Sequence, residues 1–449
     1  MLSMNAKSRQ HENLNYLVVG LGVTGFSVAS YLLANGYHCR VQDSRDIPPF
    51  LRQLQDRFPQ SGISNEALDE KLIGWADVLV VSPGLSIQQP KMVQALELGK
   101  SVIGDIELFS QVADKPVIAI TGSNGKSTVT KLLGEMIEAD GKVVAVGGNI
   151  GTAALDLLAA PVDCYVLELS SYQLETTHSL RPQVATVLNL SEDHLDRYAS
   201  YTDYIGAKLE IYNNAESCVS NYDDETTRHA ASDILFSLDP EARVDFGLVC
   251  DDGYWLAHRG EPWLKVNELK VTGQHNWANC LAAMALAHTA GVSKAAIIEA
   301  LKNFEGIPHR SQWVTESNGV EWINDSKATN IGAASASIEG RDRPVILIAG
   351  GQSKGADMTV MRQLLKERVK LVLLMGEDAQ KMEQAWLGTT RIERVNNMKQ
   401  AVEKAYAAAE SGDCVLLAPA CASFDMYDKF ESRGEDFIQN LRGLVDDQA

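Results

Sequence analysis

Residues 116–130, PVIAITGSNGKSTVT, constrain the fold more than any other stretch of the chain. A short β-branched run (Val117, Ile118, Ile120) enters a glycine-bearing loop. Apolar residues at helical spacing (Val129, Leu132, Leu133, Met136, Ile137) follow it. That order predicts a buried strand, a tight loop and a helix that stops near Gly141. Gly122 and Gly125 let the loop curl, with Ser123 and Asn124 between them, so that backbone N–H groups face anionic oxygens. Lys126 adds a point charge, and Ser127 or Thr128 offers a hydroxyl to magnesium. The loop GSNGKS is two residues shorter than G-x-x-x-x-G-K-S/T. A strand–helix turn without a ligand is the plain alternative, but the complete strand–loop–helix context points to ATP.

At 449 residues the chain is too long for one core and suggests about three domains. Its net charge of −19 excludes general binding to nucleic acid or to anionic membranes, which would repel it. An anionic substrate must therefore be held locally, by glycine loops, helix N-termini and single Lys or Arg residues. Seven cysteines without a C-x-x-C pair indicate neither a disulfide framework nor a zinc site. Residues 1–13 lack the apolar core of a signal peptide, and no stretch is long and apolar enough to span a bilayer. The expectation is a reduced, cytoplasmic, multi-domain enzyme.

Three segments follow from the pattern. In 1–113, strand-like Tyr16–Val19 leads into GLGVTG (Gly20, Gly22, Gly25), a helix, and a second strand His38–Val41 ending at Asp43. This is a dinucleotide-type βαβ fingerprint with an acidic residue about twenty positions on. A further strand, Asp77–Val81, runs into the turn SPGLS. The segment 114–308 opens with the phosphate loop. Strands are expected at Val143–Val146, Tyr165–Leu169 and Ala185–Leu190, with helices between them, in a largely parallel sheet. Between about Ile234 and Val271 the short alternating pieces read as antiparallel strands. In 309–449, after GIPHR, runs at Val345–Ala349, Leu371–Met375 and Cys414–Ala418 predict a further doubly wound unit.

Several polar groups fall at predicted strand ends, where open α/β sheets bind ligands. GLGVTG suits a diphosphate at a helix N-terminus, or is only a tight turn. With NAD as ligand, Asp43 would meet a ribose hydroxyl; with a UDP-sugar, Asp43, Ser44 and Arg45 suit the uracil and diphosphate. Glu168 ends the apolar run YVLEL beside the phosphate loop, as a magnesium ligand would. SEDHLDRY supplies His194 and Arg197 after another strand. Lys208 lies within an apolar stripe of Tyr201, Tyr204, Ile205, Ile211 and Tyr212. It is either snorkelling or an amine converted to a carbamate, which would offer oxygen ligands where an ammonium would repel magnesium. His275, Asn276 and Asn279 open an alanine-rich helix, Arg310 sits on the segment boundary, and NDSKATN crowds polar groups after Trp322–Ile323. AGGQSKGAD and APACASFD also follow strands, with Lys354 and Ser423 suited to carboxylates. Cys421 reads as a packing residue, since no activating base is evident.

Together TGSNGKST, the SEDHLDRY histidine, the Lys208 helix, GQHN, PHR and NDSKATN resemble the Mur ligases, ATP-dependent amide-forming enzymes of bacterial cell-wall synthesis. The resemblance covers the chain beyond its first dozen residues. It implies a Rossmann-like N-terminal domain, a central P-loop ATPase-type mixed sheet and a C-terminal Rossmann-like domain. GLGVTG, GGNIG, LELSSYQLE, GGQSKGAD and PACASFD are most similar to the member that joins D-glutamate to UDP-N-acetylmuramoyl-L-alanine. The resemblance further implies that Gly22, Val23, Thr24, Gly25, Asp43, Ser44, Arg45, Asn149 and His194 hold the UDP substrate. Gly122–Thr128, Asn276, Arg310 and Asp325 would contact ATP. Ser127, Glu168, His194 and carbamylated Lys208 would hold two magnesium ions, with Lys126, His194 and Lys208 catalytic. Lys327, Thr329, Lys354, Ser423, Phe424 and Phe430 would line the D-glutamate pocket. A Mur-type ligase for another amino acid and an NAD-dependent oxidoreductase built on GLGVTG are the alternatives.

Overall fold

A computed structural model describes residues 14–64, 67–191, 197–229 and 232–446. They fall into two compact units: 14–190, 197–236 and 282–297 form one, and 191, 237–281 and 298–446 the other.

The first unit begins with five parallel strands: β1 (Asn15–Val19), β2 (His38–Gln42), β3 (Gly62–Ser64), β4 (Val78–Val81) and β5 (Ser101–Ile103). Their order is β3-β2-β1-β4-β5, so the chain reverses direction across the sheet beside β1. The crevice at such a reversal is where doubly wound sheets receive ligands, and the GLGVTG loop opens there. β1 and β4 are apolar nearly throughout because helices cover both faces of a parallel sheet. Tyr16, Val18 and Val80 pack on one face, and Leu17, Leu79 and Val81 on the other.

Six further strands belong to this unit: β6 (Val117–Thr121), β7 (Val144–Gly148), β8 (Cys164–Glu168), β9 (Val184–Val187), β10 (Ser217–Asn221) and β11 (Ser232–Phe236). They run β11-β10-β9-β6-β8-β7, all parallel, with the fully buried β6 among them. The helix Lys126–Ala139 packs Leu132, Leu133, Met136 and Ile137 inward and ends at Asp140, with Gly141 at φ +79° after it. One expectation is corrected here. The run beginning at Ile234 pairs parallel with β10, because it returns through a crossover rather than a hairpin.

In the second unit, β12 (Phe246–Cys250), β13 (Tyr254–His258) and β14 (Glu261–Lys265) form an antiparallel meander, as expected. Six more strands complete this unit: β15 (Gln312–Ser317), β16 (Val320–Asn324), β17 (Val345–Gly350), β18 (Val369–Met375), β19 (Arg391–Arg394) and β20 (Cys414–Leu417). Their order is β15-β16-β20-β17-β18-β19, parallel except for the β15–β16 hairpin at one edge. Distinct apolar clusters cover its two faces, one around Leu347, Leu374 and Trp386 and the other around Trp322, Leu373 and Phe437. No helix among the described residues is long and apolar enough to cross a membrane.

Candidate active site

The phosphate loop is shaped by two glycines and braced by one asparagine. Gly122 holds φ +148°, which side chains rarely adopt, and a Cβ there would sit tightly against the Leu188 backbone nitrogen at 3.2 Å. Gly125, at φ +81°, is the N-cap of the helix Lys126–Ala139. Asn189, at the end of the segment after β9, accepts from the Asn124 N–H at 2.8 Å and donates to the Asn124 carbonyl at 3.0 Å. Its own carbonyl accepts from the Ser123 N–H. This brace was missed from the sequence, because a contact across 65 residues has no periodic signature.

Polar side chains converge on this loop within the first unit. Ser127 Oγ donates to Glu168 Oε2 at 2.6 Å, and Asn149 Nδ2 donates to Glu168 Oε1 at 2.8 Å. The Glu168 carboxylate is thus buried at the end of β8 yet hydrogen-bonded on both oxygens. Gly148 lets the ends of β7 and β8 approach closely, since a Cβ there would strike the Glu168 backbone carbonyl at 2.4 Å. The Lys126 amine folds back onto the Gly122 and Ser123 carbonyls at 2.8 and 2.9 Å. Lys208, 2% exposed, donates to the Gly122 carbonyl at 2.9 Å and to Thr121 Oγ1 at 3.3 Å. Its helix, Tyr201–Leu209, also carries Tyr204, whose hydroxyl lies 2.9 Å from Ser123 Oγ. The apolar stripe read from the sequence therefore delivers an amine to the loop. Thr128 is buried. His194 lies outside the described residues.

Around β1, Gly22 caps the helix Val23–Ala34, and a Cβ on Gly25 would overlap the Gly20 carbonyl. Asp43, at the end of β2, is buried. Its Oδ2 accepts from the Leu21 N–H at 2.7 Å and its Oδ1 from the Arg45 N–H and Nε. These bonds, with the Arg45 guanidinium, hold the Asp43 carboxyl down at about 2. Asp43 thereby fixes the glycine loop, while Val23, Ser44 and Arg45 stay exposed and Thr24 is half-buried. Arg197 was named with SEDHLDRY, but its reach was not anticipated. It donates to the Pro83 and Leu85 carbonyls at 2.6 and 3.2 Å, pairs with Glu175 at 3.1 Å, and lies 3.9 Å over the Tyr172 ring. The SPGLS turn is held in this way, and Ser82 in turn donates to the Gly20 carbonyl.

In the second unit the three strand-end loops lie together. Arg433, 1% exposed on the helix Phe430–Asp446, donates to Ser326 Oγ, to the Ser326 carbonyl at 2.8 Å, and to the Cys421 and Gly350 carbonyls. It joins NDSKATN, AGGQSKGAD and APACASFD, and sequence reading missed it within an ordinary amphipathic helix. Lys327 Nζ sits 4.2 Å over the Phe430 ring, with Thr329 half-buried nearby in sequence and Ser423 buried. Lys354 and Phe424 are exposed. Asn276 Nδ2 donates to the Thr272 carbonyl. Burial pushes the Asp325 carboxyl above its ordinary range, against the pull of Ser337, Ser311 and the nearby Arg310. Cys421 is buried against Met382, its thiol pushed up to about 12 by burial, which fits the packing role.

The Ser127 hydroxyl and the Glu168 carboxylate present the oxygen ligands that magnesium takes. Among the described residues, no group of three or more His, Cys, Asp or Glu side chains is placed to hold a metal ion.

Known proteins match most of the chain in sequence. Residues 14–104 match the N-terminal domain described as Mur ligase MurD-like, residues 120–287 the Mur ligase middle domain, and residues 309–421 the Mur ligase glutamate ligase domain. A UDP-N-acetylmuramoylalanine–D-glutamate ligase from Nitrosococcus oceani is 46% identical, covering 96% of each chain. The enzyme of that name from Pseudomonas aeruginosa is 46% identical over 96% of this chain and 98% of its own. In fold, the chain is similar to a pseudomurein peptide ligase type C from Methanothermus fervidus, with a TM-score of 0.61 at 18% identity over 97% of this chain and 100% of the other. Three domain matches in sequence order and relatives of near-half identity over nearly the whole length leave one conclusion: the chain belongs to the Mur ligase family.

Proposed function

We propose that this protein joins D-glutamate to UDP-N-acetylmuramoyl-L-alanine at the expense of ATP, in cytoplasmic peptidoglycan precursor synthesis. The observation that carries the reading is the buried Ser127–Glu168 pair beside the phosphate loop and Lys208. The names of the 46% identical relatives supply the substrates. In this reading 1–113 holds the UDP moiety, 114–308 holds ATP and magnesium, and 309–449 holds the amino acid and adds contacts to ATP.

Gly22, Val23, Thr24 and Gly25 receive the diphosphate, with Asp43, Ser44 and Arg45 toward the uracil, and Asn149 and His194 toward the muramoyl-alanine end. Amides of Gly122–Thr128 and the Lys126 ammonium grip the β- and γ-phosphates, once Lys126 leaves its own loop carbonyls. Asn276, Arg310 and Asp325 contact the nucleotide. Ser127, Glu168, His194 and a carbamylated Lys208 would hold magnesium, which would supply positive charge against the phosphates. The Lys208 amine adds to carbon dioxide with loss of a proton, so that the side chain would offer carbamate oxygens to magnesium where an ammonium would repel it.

The substrate carboxylate oxygen attacks the γ-phosphorus, ADP departs, and an acyl phosphate results. Lys126 and the loop amides stabilise the charge that builds on the transferred group. The D-glutamate amine, its carboxylates held by Lys327, Thr329, Lys354 and Ser423 beside Phe424 and Phe430, attacks the acyl carbon. The tetrahedral intermediate expels phosphate, the amine loses its proton, and an amide remains.

Phosphate release is measured with ATP, magnesium, UDP-N-acetylmuramoyl-L-alanine and one amino acid per well. Release with D-glutamate alone is the expected result. Release only with another amino acid would move the enzyme to a different ligase step. No release with any acceptor, while ATP still binds, would overturn the substrate assignment.

A further inference from the structure

Behind Asp325 a file of polar side chains runs back into the second unit. Ser311 Oγ donates to Asp325 Oδ2 at 3.2 Å and lies 3.1 Å from His275 Nε2. A hydroxyl has one proton to give. Since Ser311 directs its proton to the carboxylate, it accepts from the imidazole, which places the ring proton on Nε2 and leaves Nδ1 as the acceptor.

Nδ1 is buried without a hydrogen-bond partner, and so is Nη2 of the buried Arg341. A Cβ on Gly273 would lie 3.1 Å from Nδ1 and 3.2 Å from Arg341 Nη2, so the two atoms border the same small gap. Burial and Arg341 push His275 down to about 4, which keeps the ring neutral and the file in one direction. Gly340 makes space for the ring: its φ of −72° suits any residue, yet a Cβ there would meet Nδ1 at 2.8 Å. At the other end His309 and Ser311 both hold positive φ, +64° and +43°, a backbone cost that brings the serine hydroxyl to Asp325.

We propose that His275 and Ser311 are positioning residues that orient the Asp325 carboxylate toward the nucleotide. The proposal rests on the reading of Asp325 as an ATP contact. Arg310 from the segment boundary and Ser337 from the helix Ile331–Glu339 also face this carboxylate, so the file sets its direction rather than supplying its only support.

Steady-state kinetics of the intact enzyme test it with Asp325→Asn, Ser311→Ala, His275→Leu and His275→Gln. Ser311→Ala and His275→Leu should each raise the KM for ATP roughly tenfold, the size expected for a lost hydrogen bond to a charged group. The loss should fall on KM for ATP, not on kcat or on KM for the amino acid. His275→Gln should recover most of it, because the amide N–H can donate to Ser311. In Ser311→Ala the acid limb of kcat/KM for ATP should move to higher pH, since a donor that favours the carboxylate is gone. If Asp325→Asn raises the KM while Ser311→Ala leaves it unchanged, the positioning role is overturned. If Asp325→Asn itself binds ATP normally, the reading of Asp325 falls, and this proposal with it. Should His275→Leu fail to fold, Ser311→Ala, which removes a single oxygen, decides alone.

Discussion

Asp105 is a residue whose charge works against the fold. It opens the helix Asp105–Val112, is 3% exposed, and accepts one hydrogen bond from Gln173 Nε2 at 3.0 Å, while its Oδ1 has no partner. Burial raises its carboxyl to about 6, outweighing the Gln173 bond. An acid with a raised folded pKa binds more protons folded than unfolded. Its ionisation therefore lowers stability as pH climbs from about 4 through 6, and the deficit persists above that range. Asp105→Asn keeps an oxygen for Gln173 and removes the charge. The variant should gain on the order of 2–3 kcal/mol at pH 8 and almost nothing at pH 4, read by denaturant titration at both pH values. An equal effect at the two pH values would mean that packing, not charge, governs the position.

At the scale of the element, the helix Tyr201–Leu209 carries the sharpest sequence-based expectation. Periodicity alone placed Lys208 on an apolar face, and the fold takes that face to the phosphate loop. A buried amine there, with magnesium proposed nearby, is predicted to be carbamylated. Protein equilibrated with 13C-bicarbonate should show a carbamate carbon resonance that Lys208→Met abolishes; a spectrum identical in the two proteins would refute the modification. Glu168 was legible for a related reason, since a carboxylate ending an apolar run beside a glycine loop must lie at a strand's C-terminal edge. What stayed hidden acts through backbone atoms far along the chain. Asn189 braces Asn124, Arg197 holds the 83–85 carbonyls, and Arg433 ties three loops by their carbonyls. Carbonyl acceptors have no residue identity, so no sequence pattern marks the residues that reach them. The direction of β11 was hidden too, because alternation reports which side is buried but not whether the neighbour runs parallel.

The whole molecule carries 59 acidic and 40 basic side chains, while every substrate proposed for it is an anion. Long-range electrostatics therefore opposes encounter, and short-range groups must reverse it within a few ångströms: the loop amides, Lys126, Lys327 and Arg310. The two effects respond differently to salt. Mobile ions weaken interactions beyond a Debye length of about 10 Å at 0.1 M, whereas contacts made in a closed site are screened much less. Raising potassium chloride from about 20 to 150 mM should therefore remove more repulsion than attraction. At sub-saturating D-glutamate the rate should rise, by about twofold, with kcat unchanged, because the gain belongs to association and not to chemistry. A nucleic-acid-binding protein behaves in the opposite way, losing affinity steeply over the same range. A steady fall in kcat/KM with salt would show that the local cations project their field well beyond the site and that the net charge has little part in substrate capture.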